Sequence, residues 1–299
     1  MSAPKIPVTV AIPTLNEEQN LASCLPLLSR FERVVVIDSG STDDTVQVCR
    51  DHGVDVINFR WNGEFPKKRN WFLRNHQINT PWVLFLDADE RVSDAFCDEL
   101  ADKLSNSVHD GFWIQYITWF LGCPLLYGDV NRKLALIRVG AGEFEHIQER
   151  HWTPFDMELH EHPILAGSVG AIRTCVDHLD DRGFTLWLRK HNEYSTWEAR
   201  RARELASGGV EAFQELNIRQ TRKYRSLGKF WLPWAYFFYA YVYRCGFRDG
   251  YPGFAFAVAK AFYFWTISLK IRELKFQIHV EPTDTSTSAR RVERPGVGK

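Results

Sequence analysis

Asp87-Ala88-Asp89 carries the most pointed chemistry in the chain. In an extended segment residues i and i+2 project the same way. Both carboxylates therefore share one face, directly after the apolar run at residues 83–86. Two carboxylates so placed suit a hard divalent cation, Mg2+ or Mn2+. Such a cation can bridge a diphosphate and stabilise it as a leaving group. Acids after a strand also cap following helices, and a D-x-D alone favours that plainer reading. A second acid at the end of another apolar run, Asp38, reverses the preference. Neither a G-x-x-x-x-G-K-[ST] loop nor a G-x-G-x-x-G is present, which argues against a P-loop kinase or a dinucleotide enzyme.

The surrounding pattern supplies the scaffold. Short apolar runs at 8–13, 33–38, 54–59 and 82–86 lack alternation, as expected of strands buried on both faces. Helical stretches lie between them. Residues 17–28 place Leu21, Leu25 and Leu28 on one face, and Ser41-x-x-Asp44 has capping-box spacing for a helix through Val46 and Cys49. Pro66 is placed to open a third helix carrying Trp71 and Phe72. Ser93 caps a fourth, reaching Leu104. The β-α order predicts right-handed crossovers and a doubly wound, mostly parallel α/β sheet. Ligands bind beyond the carboxyl ends of such strands. Three segments then converge on one edge: Pro13-Thr14-Leu15-Asn16-Glu17, Asp38-Ser39-Gly40-Ser41 and Asp87-Ala88-Asp89-Glu90.

Further along, 111–119, 133–138 and 167–172 read as strands, 146–162 as irregular, and 185–205 as a long polar helix broken by Gly208-Gly209. His146, His151, His160 and His162 fall close together but match no zinc spacing. The chain divides into a half at 1–105 that carries the acid-bearing edge, a second half at 106–207, basic aromatic helices at 208–280, and a polar tail at 281–299 expected to be disordered. Six cysteines without a C-x-x-C pair suggest reduced thiols in a cytoplasmic protein. The first seven residues show no secretory pattern.

The formal net charge is zero, but it is a sum of unequal parts. Residues 216–276 hold 11 Lys/Arg against two acids, Asp249 and Glu273, whereas 1–215 hold 22 basic and 32 acidic residues. The basic segment is also strongly aromatic, with Trp231, Trp234, Phe238 and Tyr241 at helical spacing. A helix apolar all round is buried in protein or lipid. The longest uncharged run of this segment, 230–243, is 14 residues, short of the roughly 20 that span a bilayer core. Trp and Tyr favour the headgroup region and Lys/Arg attract anionic lipid, so a monotopic anchor on an anionic membrane surface fits. A hairpin packed on the rest of the chain, or a homodimer interface, is the competing use of this segment. A nucleic-acid role ranks low, because the aromatics lie consecutively on helices rather than on a sheet.

The segments VTVAIPTLNEEQNL, VVVIDSGSTDDT and WVLFLDADE resemble glycosyltransferase family 2 with the GT-A fold. ELHEHPILAGSVGAI, KHNEYSTWEA and GFRDGYPGFAFAVAKAFYF are similar to the subgroup of β-glucosyltransferases that build lipopolysaccharide cores and exopolysaccharides. The resemblance implies that Asp38 holds the nucleotide base, usually uracil, and that Thr14, Asn16 and Glu17 form the first nucleotide-contacting loop. It places Asp87 near ribose and metal, Asp89 as direct metal ligand, and Arg69 and Asn70 beside the nucleotide. His178 would approach the diphosphate, and a buried structural histidine is the plainer alternative. The implied reaction is an inverting displacement, which needs a general base for the acceptor hydroxyl. Glu161 is the position chosen, with a salt bridge as its competitor. Residues 145–158 have no clear counterpart in the pattern. The expectation is thus a metal-assisted hexosyltransferase, peripheral on the inner face of the cytoplasmic membrane, using a nucleotide-sugar donor and a lipid-linked or polysaccharide acceptor. A polyprenyl-phosphate glycosyltransferase is the nearer alternative. A nucleotidyltransferase is the more distant one, since PTLNEE replaces its usual Gly-rich loop and Lys.

Overall fold

The structure is a computed structural model that describes residues 4–147, 161–180, 182–214 and 216–277. The expected disordered tail, most of 145–158, His151 and His160 lie outside the described residues. The first half alternates as the pattern predicts: β1 (Ile6–Thr14), α1 (Glu18–Cys24) with a 3-10 turn at Leu25–Leu28, β2 (Phe31–Asp38), α2 (Thr45–Asp51), β3 (Asp55–Asn58), α3 (Lys68–Asn75), β4 (Trp82–Phe85), β5 (Glu90–Arg91) and α4 (Asp94–Leu104). The second half continues with β6 (Gly111–Phe120), β7 (Cys123–Leu125), β8 (Asn131–Arg138), β9 (Gly142–Phe144), β10 (Pro163–Leu165), β11 (Val169–Ala171) and β12 (Val176–His178). The helical layer is α5 (Phe184–Ser207), α6 (Gly209–Gln214), α7 (Ile218–Ser226), α8 (Leu232–Phe237) with a π turn at Phe238–Tyr243, a 3-10 turn at Gly246–Asp249, and α9 (Gly250–Gln277).

The main sheet runs β3-β2-β1-β4-β8-β6-β12-β5, with β7 and β11 also paired to β6. The β3, β2, β1 and β4 strands are parallel, as expected. Beyond β4 the sheet is mixed: β8 is antiparallel to both β4 and β6. Residues 121–130 between β6 and β8 are too few for a parallel crossover, which takes a dozen or more. The β6–β8 pair therefore forms as an antiparallel unit that adds to the edge of β4. The fold is α/β of GT-A type, with a mostly parallel sheet and a C-terminal aromatic helical layer.

Because side chains alternate across a strand, β1 feeds both faces of the sheet. Val8, Val10 and Ile12 pack with Leu21, Leu25 and Leu28 on one side. Ala11 joins Val35, Val83, Phe85 and Phe72 on the other. Each fully buried Val or Ile of this kind contributes roughly 1.5–3 kcal/mol. The fourth helix starts as expected, with the Ser93 hydroxyl accepting from the Phe96 N–H at 3.2 Å. Two other starts differ. The Ser41 hydroxyl bonds to Asp38 instead of capping, and α2 begins at Thr45, where the Asp43 carboxylate accepts the Thr45 N–H at 3.1 Å. The third helix begins at Lys68, two residues past Pro66, because Lys67 is extended.

In the helical layer, α9 lies on α5: Tyr263 and Ile267 of α9 bury against Ala199, with Tyr194 and Ala202 alongside. Lys270 of α9 fixes this packing by donating to Asn192 O (2.7 Å), Ser195 Oγ (2.8 Å) and Thr196 Oγ1 (2.7 Å). The segment 126–129 is held to the same layer. Asp249 accepts the Leu126 and Tyr127 N–H groups at 3.1 and 3.0 Å, Gly128 N–H donates to Arg244 O at 2.9 Å, and Tyr236 donates to Asp129 at 3.0 Å. Gly253 permits the closest approach here, since a Cβ on it would sit 2.2 Å from the Gly246 carbonyl oxygen. That neighbour is backbone and cannot rotate away. Gly253→Ala is expected to lower stability by about 2 kcal/mol, read as a lower midpoint in thermal or urea unfolding; an unchanged midpoint counts against this contact.

Candidate active site

Parallel pairing brings the carboxyl ends of β1, β2 and β4 to one edge, with Thr14 opposite Asp38 and Ala11 opposite Phe85. Asp38 is buried and its carboxylate organises the turn after β2. One oxygen accepts the Gly40 and Ser41 N–H groups, each at 2.9 Å, and the other accepts the Ser41 and Thr14 hydroxyls. Asn16 holds a left-handed conformation, φ 57°. Its side chain accepts the Thr42 N–H at 2.8 Å, and its own N–H donates to the Ser41 hydroxyl at 2.8 Å. The loops after β1 and β2 are thus stitched into one rim. Glu17 sits on that rim between Asn20 (2.7 Å) and Arg182 (3.1 Å), and burial raises its pKa despite both partners.

The start of α3 presents three successive cations to three parts of the edge. Lys67 forms a buried ion pair with Glu161 at 3.0 Å, Lys68 donates to the Thr14 carbonyl at 3.3 Å, and Arg69 reaches Asp87 at 3.5 Å. Asn70 goes elsewhere. It is 1% exposed, and its amide donates to Phe144 O at 2.9 Å and accepts Phe144 N–H at 2.8 Å. Burying a primary amide requires partners, and the β9 backbone supplies them.

The antiparallel pairing of β8 with β4 matches Leu84 to Leu136. Extending that register brings Lys133 to the end of β4, where its ammonium bridges Asp87 and the fully buried Glu90. Burial would raise the Asp87 pKa, but Lys133 and Arg69 hold it below the usual carboxylate value. Burial pushes Glu90 up to about 7, with Lys133 opposing. Asp89 faces His178, whose Nε2 lies 3.4 Å from Oδ1. The pairing of β12 with β5 sets this contact, with His178 opposite Glu90 and the Leu179 N–H bonded to the Asp89 carbonyl at 2.8 Å. Burial opposes the charged form of each, yet mutual attraction wins, lowering Asp89 and raising His178. The Asp89 Oδ1 atom is buried, and its contact with His178 Nε2 at 3.4 Å is too long for a strong hydrogen bond.

That oxygen fits a divalent cation. No group of three or more His, Cys, Asp or Glu side chains among the described residues is arranged to hold a metal unaided. Mg2+ accordingly suits the site better than a closed protein cage would suggest, since it is usually bound through one or two carboxylates plus substrate phosphates.

Residues 9–132 match the sequence model for Glycosyl transferase family 2. The chain is 29% identical over 278 residues to the lipopolysaccharide core biosynthesis glycosyltransferase LpsC of Rhizobium meliloti, covering 90% of this chain and 93% of that one. Residues 9–132 thus carry a glycosyltransferase family 2 domain. An uncharacterised glycosyltransferase of Rickettsia felis is 24% identical over 273 residues, 89% of each chain. Among solved structures, glucosyl-3-phosphoglycerate synthase of Mycobacterium tuberculosis, in complex with Mn2+, UDP and glucosyl-3-phosphoglycerate, aligns at 25% identity with a TM-score of 0.29. That alignment covers 38% of this chain and 44% of the other, so the glycosyltransferase spans less than half of that structure.

Two residues of the edge escaped the motif reading, Lys133 and Arg182, and Glu90 was placed on the edge without a role of its own. Arg182 donates to Glu17 (3.1 Å) and Asp180 (2.9 Å), and Lys190 of α5 joins Asp180. The Asp180-x-Arg182 pair just before a helix was the available signal; for Lys133 only strand register could reveal its partners. Removing Lys133 leaves Glu90 buried beside Asp87 without its cation. Lys133→Ala is expected to cost about 3–5 kcal/mol, with Lys133→Arg retaining most of it, both read by chemical unfolding. Asn70→Ala, which strands the Phe144 N–H and C=O, is expected to cost about 2–3 kcal/mol in the same assay.

Proposed function

We propose that the chain is an inverting hexosyltransferase that moves a sugar from a UDP-hexose to a lipopolysaccharide-core or exopolysaccharide acceptor. The carrying observation is Asp89: a buried carboxylate whose Oδ1 meets His178 Nε2 at a long 3.4 Å, with Lys133 and Lys190 near enough to act on its charge. A nucleoside diphosphate is polyanionic, and its departure needs positive charge aimed at the developing oxyanion. Asp89 and Asp87 would hold Mg2+ or Mn2+, which supplies further positive charge to the leaving diphosphate.

The chain's own residues do the rest. The stitched rim of Thr14, Asn16, Glu17 and Asp38 receives the nucleoside. Arg69 steadies Asp87, and His178 lies at the diphosphate side of Asp89. Glu161, paired with Lys67 at 3.0 Å, takes the proton of the attacking hydroxyl. The name of the Rhizobium meliloti relative supports the acceptor class. Such an acceptor is lipid-linked, which places the enzyme peripherally on the cytoplasmic face of the membrane.

One observation favours a second reading. Glu161 and Lys67 are almost fully buried as a pair, 2% and 4% exposed at their side chains. A carboxylate so engaged suits a reaction that needs no base, such as transfer to a polyprenyl phosphate, whose oxygen is already ionised. A panel of nucleotide sugars with Mg2+ and Mn2+, scored for hydrolysis and transfer, tests the main reading; no turnover of any UDP-sugar sinks it. Asp89→Asn is expected to reduce turnover to background while circular dichroism stays unchanged. Glu161→Gln is expected to lower transfer to a hydroxyl acceptor by about 10²–10⁴-fold; an unaffected rate selects the polyprenyl-phosphate reading.

A further inference from the structure

The helical layer leaves a wide aromatic surface uncovered. Along α9, Tyr251, Phe254, Val258, Phe262, Trp265 and Leu269 are all more than 40% exposed. Their spacing of three and four residues places them on one face of the helix. The opposite face carries Ala257, Tyr263 and Ile267, which are buried. Phe230, Trp231, Trp234 and Phe238 extend the exposed aromatic surface across the turn into α8, each at least 43% exposed. An apolar surface of this size on a folded chain marks a contact with another phase or molecule.

Charge identifies the occupant. Arg219, Arg222, Arg225 and Lys229 are exposed before α8, Arg244 and Arg248 in the turn, and Arg272 and Lys275 at the end of α9. Of the two acids in this segment, Asp249 is engaged by the Leu126 and Tyr127 N–H groups, so Glu273 alone is exposed among them. Aromatic rings bordered by cations match the interfacial zone of an anionic bilayer, which attracts Lys and Arg near its surface.

Orientation follows from packing. By length and composition Gly246–Phe276 is long and apolar enough to cross a membrane. Yet its inner face is fixed to α5, both by apolar contacts and by the four acceptors that Lys270 reaches. α5 carries Arg189, Lys190, Glu193, Arg200, Arg201 and Arg203, among other charges. Taking α9 across the hydrocarbon core would carry these with it, where charged side chains are strongly disfavoured.

We infer that α9 lies in the plane of an anionic membrane, with its Tyr251-to-Leu269 stripe and the α8 aromatics inserted at headgroup level and the α5 face turned toward the cytoplasm. This deepens the reading of a lipid-linked acceptor but is measured separately from it. The full chain is mixed with phosphatidylcholine vesicles, with and without phosphatidylglycerol, and floated on a density gradient. Binding is expected with phosphatidylglycerol and to weaken in high salt. The triple variant Trp234→Ser, Phe262→Ser, Trp265→Ser is expected to bind roughly tenfold or more weakly, while its UDP-sugar hydrolysis in vesicle-free solution is unchanged. Equal binding by the triple variant, no flotation, resistance of the bound chain to alkaline carbonate extraction as for a spanning helix, or a dimer disrupted by the same variant without any flotation each overturns the inference. Flotation without UDP-sugar turnover leaves it standing and removes the functional reading instead; turnover without flotation does the reverse.

Discussion

Buried negative charge at the end of β4 is the constraint around which this molecule is organised. Asp87, Asp89 and Glu90 lie within four residues of one another, and Glu90 has no exposed surface. Carboxylates in a low-dielectric site need nearby cations or they take up protons. The compensating groups come from different elements: Arg69 from α3, Lys133 from β8 and His178 from β12. Each of those elements is placed by its own pairing or packing, so the acidic edge and the mixed part of the sheet specify one another.

The helical layer is joined to this edge at two places. One is the Asp180–Arg182–Glu17 network, which connects the start of α5 to the rim after β1. The other is the segment 126–129, held by Asp249, Arg244 and Tyr236, which leads directly into β8 and Lys133. The aromatic layer is therefore not a loosely tethered appendage. Its surface holds a defined attitude to the site, so an acceptor presented at that surface meets the edge in a limited range of orientations.

Much of the first half was legible from pattern alone. Unalternating apolar runs marked β1 through β4 because strands buried on both faces have no polar side to reveal. The convergence of Thr14, Asp38 and Asp87 followed from the rule for strand ends. The sequence reading went astray where a side chain had a choice of partner. Ser41 bonds to Asp38 rather than capping a helix. Both alternatives satisfy the same donors and acceptors, and only the position of neighbouring backbone selects between them. Lys133 carried no motif, because its role depends on the register of β8 against β4.

The sequence by itself determined the local elements, the acid-bearing strand ends and the division into an acidic half and a basic aromatic end. These depend on periodicity, turn chemistry and composition, which act over a few residues. Tertiary structure decided which cation meets which carboxylate, and that Lys67 pairs with Glu161. It also decided that one face of α9 is buried against α5 while the other is open. Those outcomes depend on contacts between residues far apart in the chain, such as Lys67 with Glu161 and Lys133 with Asp87, which strand register and helix packing alone can set.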